Sequence, residues 1–570
     1  MVLRMLSTTT NHDDGYFNLG TYTRRITTSS SRTQLWFNRG LIWCYGFNHE
    51  EAVDCFQRAS SYDPSAAMPF WGLAFALGPN YNKPWEVYDK TDLQKTVMRT
   101  HQAAAKAREL VASSGSDLEK ALVEAIQFRY LKDHIGDEDP MTWNKLYSCA
   151  MEKVYGRFGE DLDVECLFAD SLMNLCPWKL WDIRTGKPCK HAPTLQVRTI
   201  LENSFQRPGA LQHPGLLHLY IHLMEMSPTP EAALPIADHL RGLVPDAGHL
   251  QHMPSHLDVL CGDWRRSVAS NTDAVAADER YVARCGTANF YTLYRCHDYH
   301  FKLYGAMFAG MSRISLGTAA ALAQSIPEDL LRVESPPMAD WLEGFVAMNV
   351  HALIRFGKWQ DIIEIRLPKD RDLYCFTTAM MLYGKGVAHS AMGNIEEAEI
   401  ARKDFMLSVP RVHKSRAVFN ITAEEILAIA TAMLNGELEY RRQNYDIAFK
   451  HLRHAVHLDD SLDYDEPWGW LQPTRHALGA LLLEQNHVEE AAAVYAADLG
   501  LDKSLPRPMQ HPNNVWALHG YHECLERLGR HVEAMVIEKE LSAAMTFADI
   551  EVSSSCYCRK RGDGPIRTVL

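Results

Sequence analysis

Four histidines set the chemistry to look for. His218 and His222 stand four residues apart, and His252 and His256 repeat that spacing 34 residues later. Side chains at i and i+4 share one face of a helix. Equivalent positions of successive helical hairpins lie side by side, their helices about 8–10 Å apart. The spacing therefore predicts four imidazoles converging on one region. His249 precedes the second pair, and His297, His300 and Tyr304 continue the same register in the next unit, with Glu225 just after the first pair. Several imidazoles in one place repel on protonation unless something holds them neutral, and a bound cation does so. Neutral imidazole suits copper, zinc or iron, and the scarcity of neighbouring carboxylates argues against calcium and magnesium. The expected ligands are His218, His222, His249, His252, His256, His297 and His300, enough for two ions. Copper leads, with zinc or iron as alternatives. Glu225 is the expected base and Tyr304 a second catalytic group. With copper the natural chemistry is oxidation of a small molecule, and with zinc it is attack by bound hydroxide. His49 and His213 stand where either could approach the same region.

The elements that must position these groups are helical hairpins. From Thr33 the chain reads Trp36, Gly40, Trp43, Ala52, Phe56, Ala59 and Pro64, the tetratricopeptide-repeat (TPR) spacing of large and small residues over a 34-residue unit. Gly40 and Ala52 let two antiparallel helices approach, Phe56 fills the gap and Pro64 ends the second helix. One hairpin cannot bury its own apolar face, so such units come stacked. The register recurs from Pro214, from Gly248 with Gly262 and Trp264, near Cys296, and then with Gly357/Trp359, Gly386/Gly393, Gly436/Ala448, Gly479/Ala491 and Gly529/Ala534. The expected fold is all-α, a TPR-like superhelix over 33–545. Residues 85–207 read as helical but irregular, 1–32 as a disordered tail and 546–570 as a C-terminal tail. In that register the histidines fall on groove-lining positions, whereas the first repeat places Phe37 and Leu41 there.

Other features bound the function. The 570 residues carry 58 basic and 71 acidic side chains without charge blocks, against nucleic acid and anionic membranes as partners. No run of 18 apolar residues occurs. Thirteen scattered cysteines read as free thiols of a reducing compartment, giving a cytoplasmic expectation. Cys556 and Cys558, with no second cysteine pair nearby, read as part of a frayed tail rather than a zinc site. Phosphate-loop, dinucleotide, nucleophile-elbow and H-E-x-x-H motifs are absent. Tyr464-Asp465-Glu466-Pro467 through Arg475-His476 interrupts a repeat and reads as a loop whose carboxylates start the next helix.

Phe47-Asn48-His49-Glu50, Trp71-Gly72, Leu77-Gly78-Pro79-Asn80, His213-Pro214-Gly215, Tyr220-Ile221-His222, His252-Met253-Pro254-Ser255-His256, His297-Asp298-Tyr299-His300 and Pro512-Asn513-Asn514 resemble a family of bacterial and fungal tetratricopeptide-repeat proteins with histidine-rich helices. The resemblance covers most of the chain and implies the fold, but no activity. Two functions are therefore weighed: a His-ligated metalloenzyme acting on a small molecule, and a TPR scaffold that binds a peptide without chemistry. Groove positions carrying His, instead of the Lys, Arg and Asn that clamp peptide termini, favour the first.

Overall fold

The computed structural model describes residues 15–136 and 139–559. It is 66% helical. Among the described residues the only strand pairs are two short antiparallel ones, Trp181–Asp182 with Lys187–Pro188 and Ala417–Val418 with Ile421–Thr422. The fold is of the TPR-like helical-hairpin class, and among the described residues no helix is long and apolar enough to cross a membrane.

The chain packs as two compact units. The first takes residues up to Leu257 together with Asp273–Arg295, the second Asp258–Thr272 together with residues from Cys296 on. In the first, Ser31–Tyr45 and His49–Tyr62 form the hairpin expected at Thr33. A Cβ on Gly40 would lie 2.7 Å from the Phe56 ring and one on Gly72 2.4 Å from it, so Phe56 fills space that glycines on two neighbouring helices leave open. The second unit repeats the device. Gly479 and Gly520 both pack on Tyr495, and Gly436 packs on Leu452. Residues 85–207, irregular by spacing, still hold paired helices such as Lys90–Ser114 with Asp117–Gln127, the latter opened by a Ser116/Glu119 capping box.

A backbone rule joins the hairpins. At eight of the described hairpin turns the chain passes through positive φ two residues before the second helix, at Gly262, Gly310, Gly357, Gly393, Gln443, Asn486 and Gly529, and also at Phe47. A left-handed residue after the helix lets the last carbonyls be satisfied while the chain reverses, which is why Gly and Asn are preferred there. Phe47, with φ of 55°, keeps the turn and breaks the preference.

Both ends differ from expectation. Residues 1–14 lie outside the described chain, but from Tyr16 on the expected tail is packed. Tyr16 donates to Glu51, Arg24 pairs with Asp161 at 2.8 Å and Asp163 at 2.5 Å, and the Thr27 N–H donates to Glu119. Near the other end Ile550, Val552, Ser554, Ser555, Cys556 and Cys558 are buried. Short apolar and hydroxyl side chains among polar ones gave no helical period, so packing by individual side chains left no sequence trace.

Replacing Gly40 by Ala is expected to destabilise the protein by about 1–3 kcal/mol through overpacking. In a Phe56→Ala background the same change should be near neutral in urea unfolding, because the clash is with that ring. Burial also holds two further imidazoles neutral: His351 and His49 are each lowered to about 4. Unfolded histidine titrates near 6.5. Between these values only the unfolded chain binds the proton, so each group removes about 1.4 kcal/mol of stability per pH unit as pH falls from 6.5 towards 4. Urea midpoints at pH 7.5 and 5 check this, and His351→Phe should flatten the dependence.

Candidate metal centre

The helix Pro214–Met224 presents the first pair. Pro214 sits at its first position and His213 caps it, accepting the Leu216 N–H on Nδ1 while its Nε2 faces Asp163 at 3.3 Å. His213 is therefore a cap. Four residues on, His218 and His222 stand one turn apart with ring centroids 4.8 Å apart, both fully buried.

The second set is displaced by a proline. The register places His252 and His256 on one continuous helix. Pro254 instead separates Gly248–His252 from Pro254–Leu260. Gly248 brings the start of this element close to its neighbour, where a Cβ would collide with Asp278. As a result His249, not His252 or His256, joins the first pair. The coordinating nitrogens of His218, His222 and His249 lie within 4.8 Å of one another. Two nitrogens on one tetrahedral ion with bonds of about 2.1 Å lie about 3.4 Å apart, so the three rings close on an ion by side-chain movements of up to about 1–1.5 Å.

Tautomers are fixed by acceptors. His218 Nδ1 lies 2.6 Å from the Tyr45 carbonyl oxygen, which can only accept. Glu225 receives two imidazoles, His222 Nδ1 at 2.8 Å on one oxygen and His256 Nδ1 at 2.5 Å on the other. With Nδ1 protonated, the lone pair of each ring sits on Nε2. The Nε2 atoms of His218 and His222 are buried and have no hydrogen-bond partner. Burial lowers the His222 pKa to about 3, and burial followed by the neighbouring His222 lowers that of His218 well below its ordinary value. Both rings are neutral at pH 7.

His252 and His256 form a pair of their own, Nε2 to Nε2 at 2.6 Å. Because Glu225 fixes the proton of His256 on Nδ1, His252 donates from Nε2 and spends there the atom it would offer a metal. Four imidazoles thus do not meet at one point. Glu225 has both oxygens occupied by imidazole N–H groups, so it orients rings and is not the free base expected of it. His297, His300 and Tyr304 belong to the second unit. His297 and His300 pack edge-on and face-on against Phe419, and Tyr304 lies beside Phe308 and His511. Also in that unit, His476 and His511 bind the two oxygens of Asp498 at 2.9 and 2.8 Å. The helix after Pro473 is opened by Asp459, which accepts from Thr474, rather than by Asp465 or Glu466.

The spacing of histidines did not reveal Phe47. Its ring stacks on His222 and His249 at centroid distances of 5.8 and 5.7 Å and touches His218 at 4.4 Å. Phe47 also lines a cavity of about 150 Å³ shared with His49, Asn80, Lys83, Tyr88, Arg99 and Tyr291. A smaller space of about 20 Å³, enough for one water, is lined by His218, His49, Asn80 and Asp170. The available signal was the exception to the turn rule: an aromatic where a helix end favours Gly or Asn.

No family model and no curated protein matches the chain. Among solved structures it is similar to Cut9 in the APC/C hetero-tetramer Cut9-Hcn1 (13% identity over 86% of this chain and 76% of that one, TM-score 0.30). It is similar also to yeast Tom70 (11% identity, 90% and 93% covered, TM-score 0.24) and to Ypp1 (11%, 91% and 81% covered, TM-score 0.29). At these scores none of them carries a functional argument.

Replacing Glu225 by Leu leaves two buried N–H groups without their acceptor and is expected to cost the metal-free protein about 2–5 kcal/mol in urea unfolding. Replacing the exposed Glu538 by Leu should cost almost nothing.

Proposed function

We propose that the chain is a His-ligated metalloprotein on a TPR-like scaffold, holding one copper or zinc ion on His218, His222 and His249 and acting on a small molecule. One observation carries the reading: two buried imidazoles whose N–H groups are already bound to acceptors, leaving unpaired Nε2 lone pairs beside a third ring. Metal-binding histidines are oriented in this way, with the far N–H bound to a carbonyl or carboxylate. Three imidazoles leave an ion an open position, as catalytic sites require. The cavity that Phe47 also lines is walled by polar and charged side chains beside Tyr88, Phe290 and Tyr291, which suits a small polar molecule. With copper, the open position suits oxidation of that molecule. With zinc, it suits a bound hydroxide as nucleophile.

The scaffold taken alone also supports partner binding without chemistry. The triad argues against placing a peptide at these positions, since all three imidazoles are at most 1% exposed and a chain lying on the surface would not reach them.

Elemental analysis of protein purified without a histidine tag separates the readings. About one equivalent of copper or zinc is expected. His222→Ala should lose it with unchanged far-ultraviolet circular dichroism, because the glycine contacts that stack the hairpins remain when one ring is removed. Glu225→Gln should weaken metal binding about 10–100-fold by releasing the ring orientations. Occupancy should persist to about pH 5, because burial holds the His222 pKa at about 3 and protons compete only weakly with the metal above it. Native protein without stoichiometric metal, and apoprotein that takes none up, would leave the binding-scaffold reading.

A further inference from the structure

The C-terminal segment of the second unit is held by side chains that reach its backbone. Arg355 donates to the Ser555 carbonyl at 2.9 Å, Ser555 Oγ donates to the His476 carbonyl at 2.8 Å, Arg441 donates to the Cys558 carbonyl, and Arg559 pairs with Glu523 at 2.7 Å. These contacts carry Cys556 and Cys558 into the interior, 5% and 1% exposed, beside Glu437 of the helix Ala423–Arg441. The two sulfurs, joined here as a disulfide, and a Glu437 oxygen lie within 4.8 Å of one another. Glu437 is 2% exposed, and its Oε2 has no hydrogen-bond partner.

A buried carboxyl group within reach of two sulfurs can serve with them as a ligand set for a cation, which would offset the cost of burying its charge. Reduced, Cys556 and Cys558 offer two thiolates, and with Glu437 the local charge is −3. A divalent cation and the adjacent Arg441 bring it to zero. Two sulfurs and one oxygen suit zinc and exclude magnesium and calcium.

We propose that Cys556, Cys558 and Glu437 form a redox-gated zinc site, closed to metal while the disulfide stands and opened by a dithiol reductant. The step balances. The reductant is oxidised to its own disulfide and passes two electrons and two protons to Cys556 and Cys558, whose S–S bond breaks. Zinc then displaces the two thiol protons to solvent as two metal–sulfur bonds form. The site does not depend on the imidazole triad.

Cobalt(II) is the probe, because thiolate ligation gives a near-ultraviolet charge-transfer band that imidazole and carboxylate ligation do not. Full-length apoprotein is compared oxidised and after reduction by dithiothreitol and its anaerobic removal. The reduced protein should develop the band with about one equivalent of cobalt at this site, the oxidised protein should not, and added zinc should abolish it. Cys558→Ser and Cys556→Ser should each at least halve the band. Glu437→Gln should keep it while weakening cobalt binding about tenfold or more. The band should persist in His222→Ala, which separates this site from the triad. A reduced wild-type protein with no band, or a band unaltered in both cysteine variants, would overturn the proposal and leave the pair as a structural cross-link. If one cysteine variant fails to fold by circular dichroism, the other and Glu437→Gln still decide.

Discussion

Glu225 accepts from two imidazoles at once, and the direction of the nearby lone pairs follows from that. A carboxylate with both oxygens engaged fixes the protons of His222 and His256 on Nδ1 and their basic electrons on Nε2. His256, so fixed, can only accept from His252, which is drawn into a pair and away from the triad. His222, so fixed, points an unshared lone pair towards His218 and His249. One acidic side chain thus sorts three buried rings, leaving His222 a nitrogen to offer and engaging those of His252 and His256 with each other. The Tyr45 carbonyl does the same for His218 from the first hairpin.

That sorting requires rigid supports. The hairpins supply them by letting glycine on one helix meet a large ring or branched chain on a neighbour, as Gly40 and Gly72 meet Phe56, or Gly479 and Gly520 meet Tyr495. Interiors packed in this way have few alternative arrangements. The histidines can then be held neutral by burial without the chain opening to hydrate them.

Sequence spacing made the hairpins legible because their signals are local: Trp36 and Gly40 one turn apart, Phe56 on the return helix, Gly393 and Gly529 after a helix end. The pairing of His218 with His222 was legible for the same reason. The partner of that pair was not. Counting 34 residues assumes an unbroken second helix, and Pro254 breaks it, so His249 took the place assigned to His252 and His256. The role of Glu225 was hidden because it is decided by a bond whose partner, His256, comes from another helix. Tyr16, Arg24 and Cys558 were missed for want of periodicity, since segments docked by single side chains carry no repeat.

Phe47 turns a local rule into a historical marker. A non-glycine residue in the left-handed region gives up about 1–2 kcal/mol, and seven other hairpin turns of this chain use Gly, Asn or Gln at the corresponding place. Drift alone would carry position 47 towards the same residues. Its ring packs on three imidazoles and lines a cavity, and any selection for those contacts would oppose the drift. Lineages that keep the histidines should therefore keep an aromatic at this turn, and lineages that have lost them should have let it relax to glycine or asparagine, so that this single position dates the loss of the site.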